Sequence, residues 1–175
     1  MDSKYIGLNH YRRYFEFKDN IPNLDEIFKY YDVILNTPYI FKQGMKKQFC
    51  DCHLCKNYDE IIDIIKDIKP EYYESAIKTI NLTEIHYCNL FIMKKNDFYK
   101  FCEFMFDILF EFDRRHNFTS DKDVLNYVKD NFKSPTNFLY QSRIQAFLSE
   151  RIGNIFYFQN FKKIKTFRFG NYFTS

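Results

Sequence analysis

The segment HYRRYF, at residues 10–15, places an imidazole close to two guanidinium groups. Guanidinium groups suit phosphate and carboxylate because their planar fork donates two parallel hydrogen bonds. The residues before it alternate loosely between apolar and polar from Lys4 onward, which predicts a buried strand ending at the polar cluster. We therefore expect His10, Arg12 and Arg13 at a sheet edge, where they either bind an anion or form ordinary surface charge.

The segment CDCHLC, at residues 50–55, groups four side chains that zinc can bind: Cys50, Cys52, His53 and Cys55. Tetrahedral zinc sites normally combine two ligand pairs separated by a sizeable loop, and no second pair is near, with His86 and Cys88 the nearest candidates. Reduced, partly buried cysteines are therefore favoured over a zinc site. Reduction is also expected because the N-terminal segment lacks the apolar stretch of a signal peptide.

Polar residues interrupt the apolar segment SRIQAFLSERIGNIF, at residues 142–156. Arg143, Glu150 and Asn154 are seven and four positions apart, which places them along one side of a helix. Arg151 points about a quarter-turn away. A solvated polar stripe is the favoured interpretation of this spacing, with a functional row as the alternative.

Common catalytic motifs are missing from the sequence, which has no glycine-rich phosphate loop, nucleophile elbow or HExxH. Asp121-Lys122-Asp123 is the only Asp-x-Asp, and it lies at a predicted helix start rather than at a strand end. We interpret these carboxylates as first-turn residues favoured by the helix dipole, which makes them a poor metal site.

Alternating strands and helices are predicted to position these segments. The predicted strands are 4–10, 32–35, 84–93 and 163–167, and the predicted helices are 24–31, 60–68, 71–80, 95–115, 120–132 and 142–158. Residues 36–56 show no clear period and predict a long loop or short irregular elements, and the SPTN segment at 134–137 predicts a turn. This pattern favours an α/β fold with a central sheet flanked by helices.

Composition indicates a single globular domain over residues 1–175. Hydrophobic residues make up 46% and charged residues 28%, and the 22 Phe and 15 Tyr are interpreted as core. The 26 basic and 23 acidic residues are interspersed and too balanced for a protein that neutralises a nucleic-acid backbone. No apolar run approaches about 18 residues, so no transmembrane segment is expected and the protein is expected to be cytoplasmic.

Several segments, taken in order, resemble one protein family. They are YIGLNHYRRYF, YDVILN, a lysine-rich loop containing His53, IKPEYYESAI, YCNLFIMKKNDFYKFCEFMFDIL and RIQAFLSERIGNIF. They are similar to capsular-polysaccharide-type glycosyltransferases, a family that long carried only an unknown-function label, over about residues 4–158. The resemblance implies a GT-A-like, Rossmann-like fold. It also implies transfer of a sugar from a nucleotide-sugar donor to a hydroxyl of a glycan acceptor.

The resemblance further implies roles for individual residues. Glu150 takes the position where inverting members hold a carboxylate base, which deprotonates the acceptor hydroxyl. The implied substrate-binding residues are His10, Arg12, Arg13, His53, Asn89, Arg143, Ser149 and Arg151. Asn89 binds sugar hydroxyls in this interpretation, and a buried amide satisfied by backbone is the alternative.

Cofactor use also follows from the resemblance. Many GT-A enzymes hold a divalent metal with an Asp-x-Asp at a strand end, whereas the comparable strand here ends in HYRR. Arginine is therefore expected to neutralise the donor diphosphate without a metal, with Mn²⁺ or Mg²⁺ as the alternative.

Departures from the family leave a second function open. Family members usually begin with a further N-terminal region, including the first strands expected to hold the nucleotide, and this chain starts three residues ahead of YIGLNHYRRYF. Asn9 and Gln145-Ala146 also replace the usual family residues. We expect either a partner chain that supplies the missing strands or a shortened relative. The alternative to an active enzyme is therefore a non-catalytic relative or a carbohydrate-binding module.

Overall fold

A mixed four-stranded sheet lies at the centre of the computed structural model, which describes residues 3–10, 12–17, 21–133 and 137–171. The strands are β1 (Tyr5–Leu8), β2 (Arg13–Phe15), β3 (Val33–Asn36), β4 (Tyr39–Ile40), β5 (Glu84–Ile85), β6 (Phe91–Lys94), β7 (Ile164–Phe167) and β8 (Phe169–Asn171). The central sheet has the order β1-β6-β3-β7. β2 pairs with β8, and β4 pairs with β5, in two small antiparallel ribbons.

Strand β3 occupies an inner position of the central sheet. It runs antiparallel to β6 and parallel to β7, with Leu35 opposite both Phe91 and Thr166. All four of its residues are buried, including Asn36, which explains why Val33-Ile34-Leu35 is a continuous apolar run rather than an alternating one. β1 is an edge strand, so the polar residues that follow it lie at a sheet edge, as predicted.

Helices cover the sheet and supply most of the core. They are α1 (Leu24–Ile27), α2 (Met45–Cys52), α3 (Cys55–Ile68), α4 (Tyr73–Thr79), α5 (Lys95–His116), α6 (Asp121–Asn131), α7 (Phe138–Gln141) and α8 (Ile144–Asn160), with a 3₁₀ turn at Pro70–Tyr72. α5 packs against both α3 and α8 through aromatic and aliphatic side chains, including Phe101 and Phe156. The prediction that aromatic residues fill the core is confirmed for many Phe and for Tyr58 and Tyr157, whereas others such as Tyr99 and Phe110 are exposed.

Helix ends follow ordinary capping chemistry. Ser120 and Asp123 form a capping box at the start of α6, which confirms that the acidic pair at 121–123 belongs to a helix first turn. α5 ends at Asn117 in the left-handed conformation, with Arg114, Arg115 and His116 in its last turn.

Several predicted elements differ from the structure. The helix predicted over 24–31 is a single turn, α1, and the segment predicted as a long loop, 36–56, contains β4 and α2. The strand predicted over 84–93 is two strands, β5 and β6, because the backbone between them turns. α7 was not predicted, and residues 134–136 of the predicted SPTN turn lie outside the described residues.

The prediction that all cysteines are reduced is wrong. Cys50 and Cys55 form a disulfide, with their Cα atoms 4.3 Å apart. The reason is geometric, since α2 ends at Cys52 and α3 begins at Cys55, and the short connection brings the two thiols together. Cys52, Cys88 and Cys102 remain free thiols.

Within the described ranges, no helix has both the length and the apolar surface that crossing a bilayer requires.

Candidate functional site

A cleft of about 740 Å³ lies beside the N-terminal half of α8. The structure brings every predicted site residue to its wall: His10, Arg12, Arg13, His53, Asn89, Arg143, Ser149, Glu150 and Arg151. These residues come from the turn after β1, the end of α2, the connection between β5 and β6, and α8. Segments that are far apart in sequence therefore converge on one concave surface.

The turn after β1 supplies the first group of cleft residues. The backbone N–H of Arg13 donates to the carbonyl of His10 at 3.1 Å, which closes a tight turn between β1 and β2. A guanidinium N–H of Arg13 donates to Cys88 Sγ at 2.6 Å, and the same group lies 5.5 Å from the centre of the Phe169 ring. The side chain of Arg13 is thus held against the cleft wall.

Positive charge surrounds His10. Burial lowers the pKa of this imidazole, and the neighbouring guanidinium groups of Arg13, Arg12 and Arg143 lower it further. His10 is therefore neutral near pH 7, while the three arginines keep their charge. This part of the cleft favours an anion with several oxygen atoms.

A buried ion pair lies at the centre of α8. Arg151, whose side chain is 2% exposed, donates from Nη1 to Glu150 Oε2 at 2.9 Å. Its Nη2 donates to Gln48 Oε1 and to the hydroxyl of Tyr87, the latter at 3.2 Å. The guanidinium also lies 4.8 Å from the centre of the Tyr87 ring and 5.3 Å from that of Phe49. A buried charge needs such partners, because its desolvation costs several kcal/mol.

Glu150 combines burial with access to the cleft. Its side chain is 21% exposed, and Oε1 accepts a hydrogen bond from the backbone N–H of Cys88 at 3.0 Å. Burial raises the pKa of this carboxyl, and the attraction of Arg151 and the Cys88 hydrogen bond offset part of that rise. A carboxylate with a raised pKa is a stronger proton acceptor than an exposed one.

The interpretation of the α8 polar row as a solvated stripe is wrong for two of its members. Asn154 is 4% exposed and the Glu150 side chain is largely buried, whereas Arg143 is exposed as a stripe would require. The cause is that α8 is covered on nearly all sides from Phe147 to Tyr157, so its polar residues face protein rather than water.

Two consecutive left-handed residues form the connection between β5 and β6. Cys88 has φ 69° and Asn89 has φ 48°, which costs about 1–2 kcal/mol for each residue. Asn154 holds the start of this connection, because its side-chain oxygen accepts from His86 N–H at 2.9 Å and its amide donates to His86 O at 2.8 Å. The same amide donates to the Glu150 carbonyl at 2.7 Å. The strained turn is thereby fixed to α8.

Asn89 is half-buried, and its partner is a side chain rather than backbone. Its amide donates to Ser149 Oγ at 2.9 Å, and that hydroxyl donates to the Ala146 carbonyl at 2.8 Å. Asn89 and Ser149 thus form one polar pair on the cleft wall. Their predicted binding of sugar hydroxyls stays a prediction.

His53 lies in the cleft wall, at the end of α2. Its Nδ1 is 3.1 Å from Gln141 Oε1, and its ring stacks on Phe147 with the centres 4.0 Å apart. Burial lowers its pKa, so the ring is neutral near pH 7. The zinc interpretation of CDCHLC is contradicted, because Cys50 and Cys55 are joined and cannot act as thiolate ligands. In the described part of the chain no cluster of His, Cys, Asp and Glu could hold a metal ion.

Sequence reasoning missed several residues that support the site. Gln48, Tyr87 and Cys88 contact Arg151, Glu150 or Arg13, and no motif marked them as polar partners. The sequence did mark Asn154 as a candidate, since it lies in the polar row of α8, four positions after Glu150. Its hydrogen bonds to His86 could be found only from the structure.

Comparisons with known proteins identify both a family and a fold. Residues 1–161 match the model of a family described as Domain of unknown function (DUF4422). The apo structure of the bifunctional glycosyltransferase WbbM is similar in fold, with a TM-score of 0.69 and 17% sequence identity. The alignment covers 98% of this chain and 34% of that one, so this chain spans about a third of its length. No curated protein sequence matches the chain.

We expect Glu150 to make folding stability depend on pH. The folded protein holds a proton on Glu150 at pH values where the unfolded chain has lost it, because the pKa of Glu150 is raised in the fold. The free energy of unfolding contributed by this group is thus highest below the ordinary Glu pKa of about 4.3 and falls as pH rises through the raised value. Urea unfolding measured from about pH 4 to pH 7 should therefore show that the stability of wild type relative to Glu150→Gln falls as pH rises. Parallel pH profiles for the two proteins would contradict the expectation.

We expect Asn154→Ala to destabilise the fold and to release the turn that contacts Glu150. The substitution leaves the buried backbone groups of His86 without partners, which costs about 1–3 kcal/mol. Urea unfolding should report this loss, and amide hydrogen exchange should report faster opening at Cys88. Asn160→Ala is the control, since Asn160 is exposed and lies at the end of the same helix. Equal effects of the two substitutions would show that Asn154 has no special role.

Proposed function

Since residues 1–161 match its model, the chain belongs to the DUF4422 family, and we propose that it is a glycosyltransferase. The proposed reaction moves a sugar from a nucleotide-sugar donor to a hydroxyl of a glycan acceptor. The observation that carries the proposal is one cleft in which a carboxylate with a raised pKa faces a group of arginines. Fold similarity to a bifunctional glycosyltransferase supports it.

Glu150 is the proposed general base. In the reaction the acceptor oxygen forms a bond to the anomeric carbon, the bond from that carbon to the diphosphate oxygen breaks, and the acceptor proton passes to Glu150. Its Oε1 and Oε2 each accept one hydrogen bond, from Cys88 N–H and Arg151, and keep a lone pair for the incoming proton. Direct displacement of this kind inverts the configuration of the anomeric carbon.

Arg151 is proposed to position the base. It is enclosed between Phe49 and Tyr87, so its contact with the substrates is limited, whereas its contact with Glu150 is direct. Its charge favours the ionised form of Glu150 and offsets part of the effect of burial on the pKa, and its rigid surroundings fix the carboxyl group.

Arg12, Arg13 and Arg143 are proposed to bind the diphosphate of the donor. Their charges surround a neutral His10, so the negative charge that develops on the leaving diphosphate meets fixed positive charge. His10 itself can donate one hydrogen bond to a phosphate oxygen as a neutral imidazole.

We propose that transfer proceeds without a divalent metal. Divalent cations in such enzymes need several oxygen ligands. Among the described residues that line the cleft, Glu150 is the single carboxylate, and Arg151 already occupies one of its oxygens. Guanidinium groups take the place of the metal charge in this proposal.

The acceptor is proposed to lie along the Asn89–Ser149 side of the cleft. Both side chains have polar atoms that suit sugar hydroxyls, and the exposed ring of Tyr140 offers an apolar face beside them. His53, which is neutral and fixed by Gln141, adds one further polar group to this wall.

We also propose a GT-A-type organisation and a role in polysaccharide biosynthesis in the cytoplasm. The fold similarity and the mixed α/β sheet support the first point. The second extends the proposed transfer of a sugar to a glycan acceptor.

We expect Glu150→Gln to reduce turnover strongly and to leave donor affinity nearly unchanged. Loss of a general base lowers kcat by about 10²–10⁴-fold. The experiment is transfer from a panel of nucleotide sugars, with donor affinity measured by calorimetry. Glu74→Gln is the matched control, because Glu74 is exposed on α4 and does not line the cleft. Wild-type protein that turns over no donor with any acceptor would count heavily against the proposed function.

We expect Arg13→Gln to weaken binding of a nucleoside diphosphate by at least about tenfold, since a hydrogen bond to a charged group contributes about 1.5–3 kcal/mol. Arg114→Gln is the control, because Arg114 is exposed on α5 and lies outside the cleft.

Excess EDTA should leave the wild-type rate unchanged, and a loss of activity that Mn²⁺ or Mg²⁺ restores would contradict metal-independent transfer.

A further inference from the structure

A second cleft, of about 800 Å³, lies on the other side of the start of α8. Its walls come from the end of α5, the connection between α5 and α6, the first turns of α6, and the residues around the start of α8. No residue that the resemblance assigns to the site lies in it except Arg143.

The chemistry of the second cleft differs from that of the first. Two carboxylates, Asp113 and Asp121, are balanced by two cations, Lys122 and Arg143. Such a lining does not concentrate positive charge, so a diphosphate gains little there.

Neutral, hydroxyl-rich ligands suit this lining better. Carboxylates accept hydrogen bonds from sugar hydroxyls, and Thr119 and Ser142 add hydroxyl groups of their own. Phe118 and Leu125 supply an apolar surface for the C–H face of a sugar ring. A cleft of this size with an apolar wall and a few polar groups is typical of small-ligand sites.

The two clefts are neighbours at the start of α8. Arg143 and Ala146 line both, and Ala146 is an exposed residue with a small side chain. Gln145 donates to Asp113 Oδ1 at 2.7 Å, which ties this part of α8 to α5.

The spacing along α8 matches a sugar chain. Ala146 precedes Glu150 by four residues, which is about 6 Å along the helix. This distance is comparable with the length of one hexose unit. A glycan whose terminal hydroxyl lies at Glu150 therefore has its next units at Ala146 and in the second cleft.

We propose that the second cleft binds the non-reacting hexose units of the acceptor glycan, so that the enzyme prefers an acceptor of several units. This inference rests on the proposed function, because it needs the terminal unit to lie at Glu150. It assigns to Asp113, Asp121 and Phe118 a role in acceptor selection.

The kinetic test compares an acceptor glycoside that supports transfer with the same acceptor lengthened by two hexose units. Lengthening should raise kcat/KM about tenfold in wild-type protein, and Asp121→Asn should remove most of that gain. Ala146→Trp should remove the gain too, because the larger side chain would fill space between the two clefts. Asp130→Asn, at the other end of α6, is the control and should keep the gain.

Two results would overturn the inference while the proposed function stands. One is transfer in which the lengthened acceptor gains nothing over the short one. The other is a gain that survives in Asp121→Asn. Asp121 lines the second cleft but not the first, whereas Ala146 lines both, so Ala146→Trp could also weaken donor binding. Asp121→Asn is therefore the deciding variant.

A binding measurement keeps the inference testable if no donor is turned over. A tetrasaccharide of glucose or galactose is titrated into isotope-labelled full-length protein, and amide resonances are followed by NMR. Shifts at Thr119, Leu125 and Ala146 would support a glycan site in the second cleft even without transfer. Binding that leaves these amides unshifted, or no binding of either glycan, would overturn it.

Discussion

The buried charge of Arg151 is the constraint on which the rest of the site depends. A guanidinium that is 2% exposed must find partners within the protein, and it finds them in Glu150, Gln48 and Tyr87. These partners belong to α8, to α2 and to the connection between β5 and β6. Satisfying one charge therefore fixes the relative positions of three segments, and the carboxylate that faces the cleft is one of the groups that it fixes.

The strained turn at Cys88 and Asn89 is the second consequence of this arrangement. An ordinary strand over 84–93 would direct the Cys88 N–H into a sheet, whereas the left-handed turn directs it to Glu150. The two hydrogen bonds between Asn154 and the backbone of His86 compensate for the strain, and Asn154 lies on the same helix as Glu150. Strain of this kind persists where surrounding contacts determine the conformation, and it is common at functional sites.

Burial has opposite effects on the titratable groups of the cleft, and the result suits group transfer. It raises the pKa of the Glu150 carboxyl and lowers the pKa of the His10 and His53 imidazoles. Burial thus favours the proton-accepting character of Glu150 and the neutral form of both imidazoles. Positive charge toward one end and a proton acceptor at α8 fit a reaction in which a diphosphate leaves as a hydroxyl loses its proton.

The sequence by itself determined α3, α5 and α6 from their helical periods and β3 and α8 from their apolar segments, together with the convergence of HYRR, Asn89 and Ser149-Glu150-Arg151 that the family resemblance implied. Tertiary structure alone decided the Cys50–Cys55 disulfide, the break at Cys88 and the burial of Asn154. The physical reason is that periodicity reports which face of an element is apolar, whereas hydrogen bonds between residues such as Gln48 and Arg151 depend on packing between distant segments. A polar residue on a helix looks solvated from its spacing, and only the packing around α8 shows that it is buried.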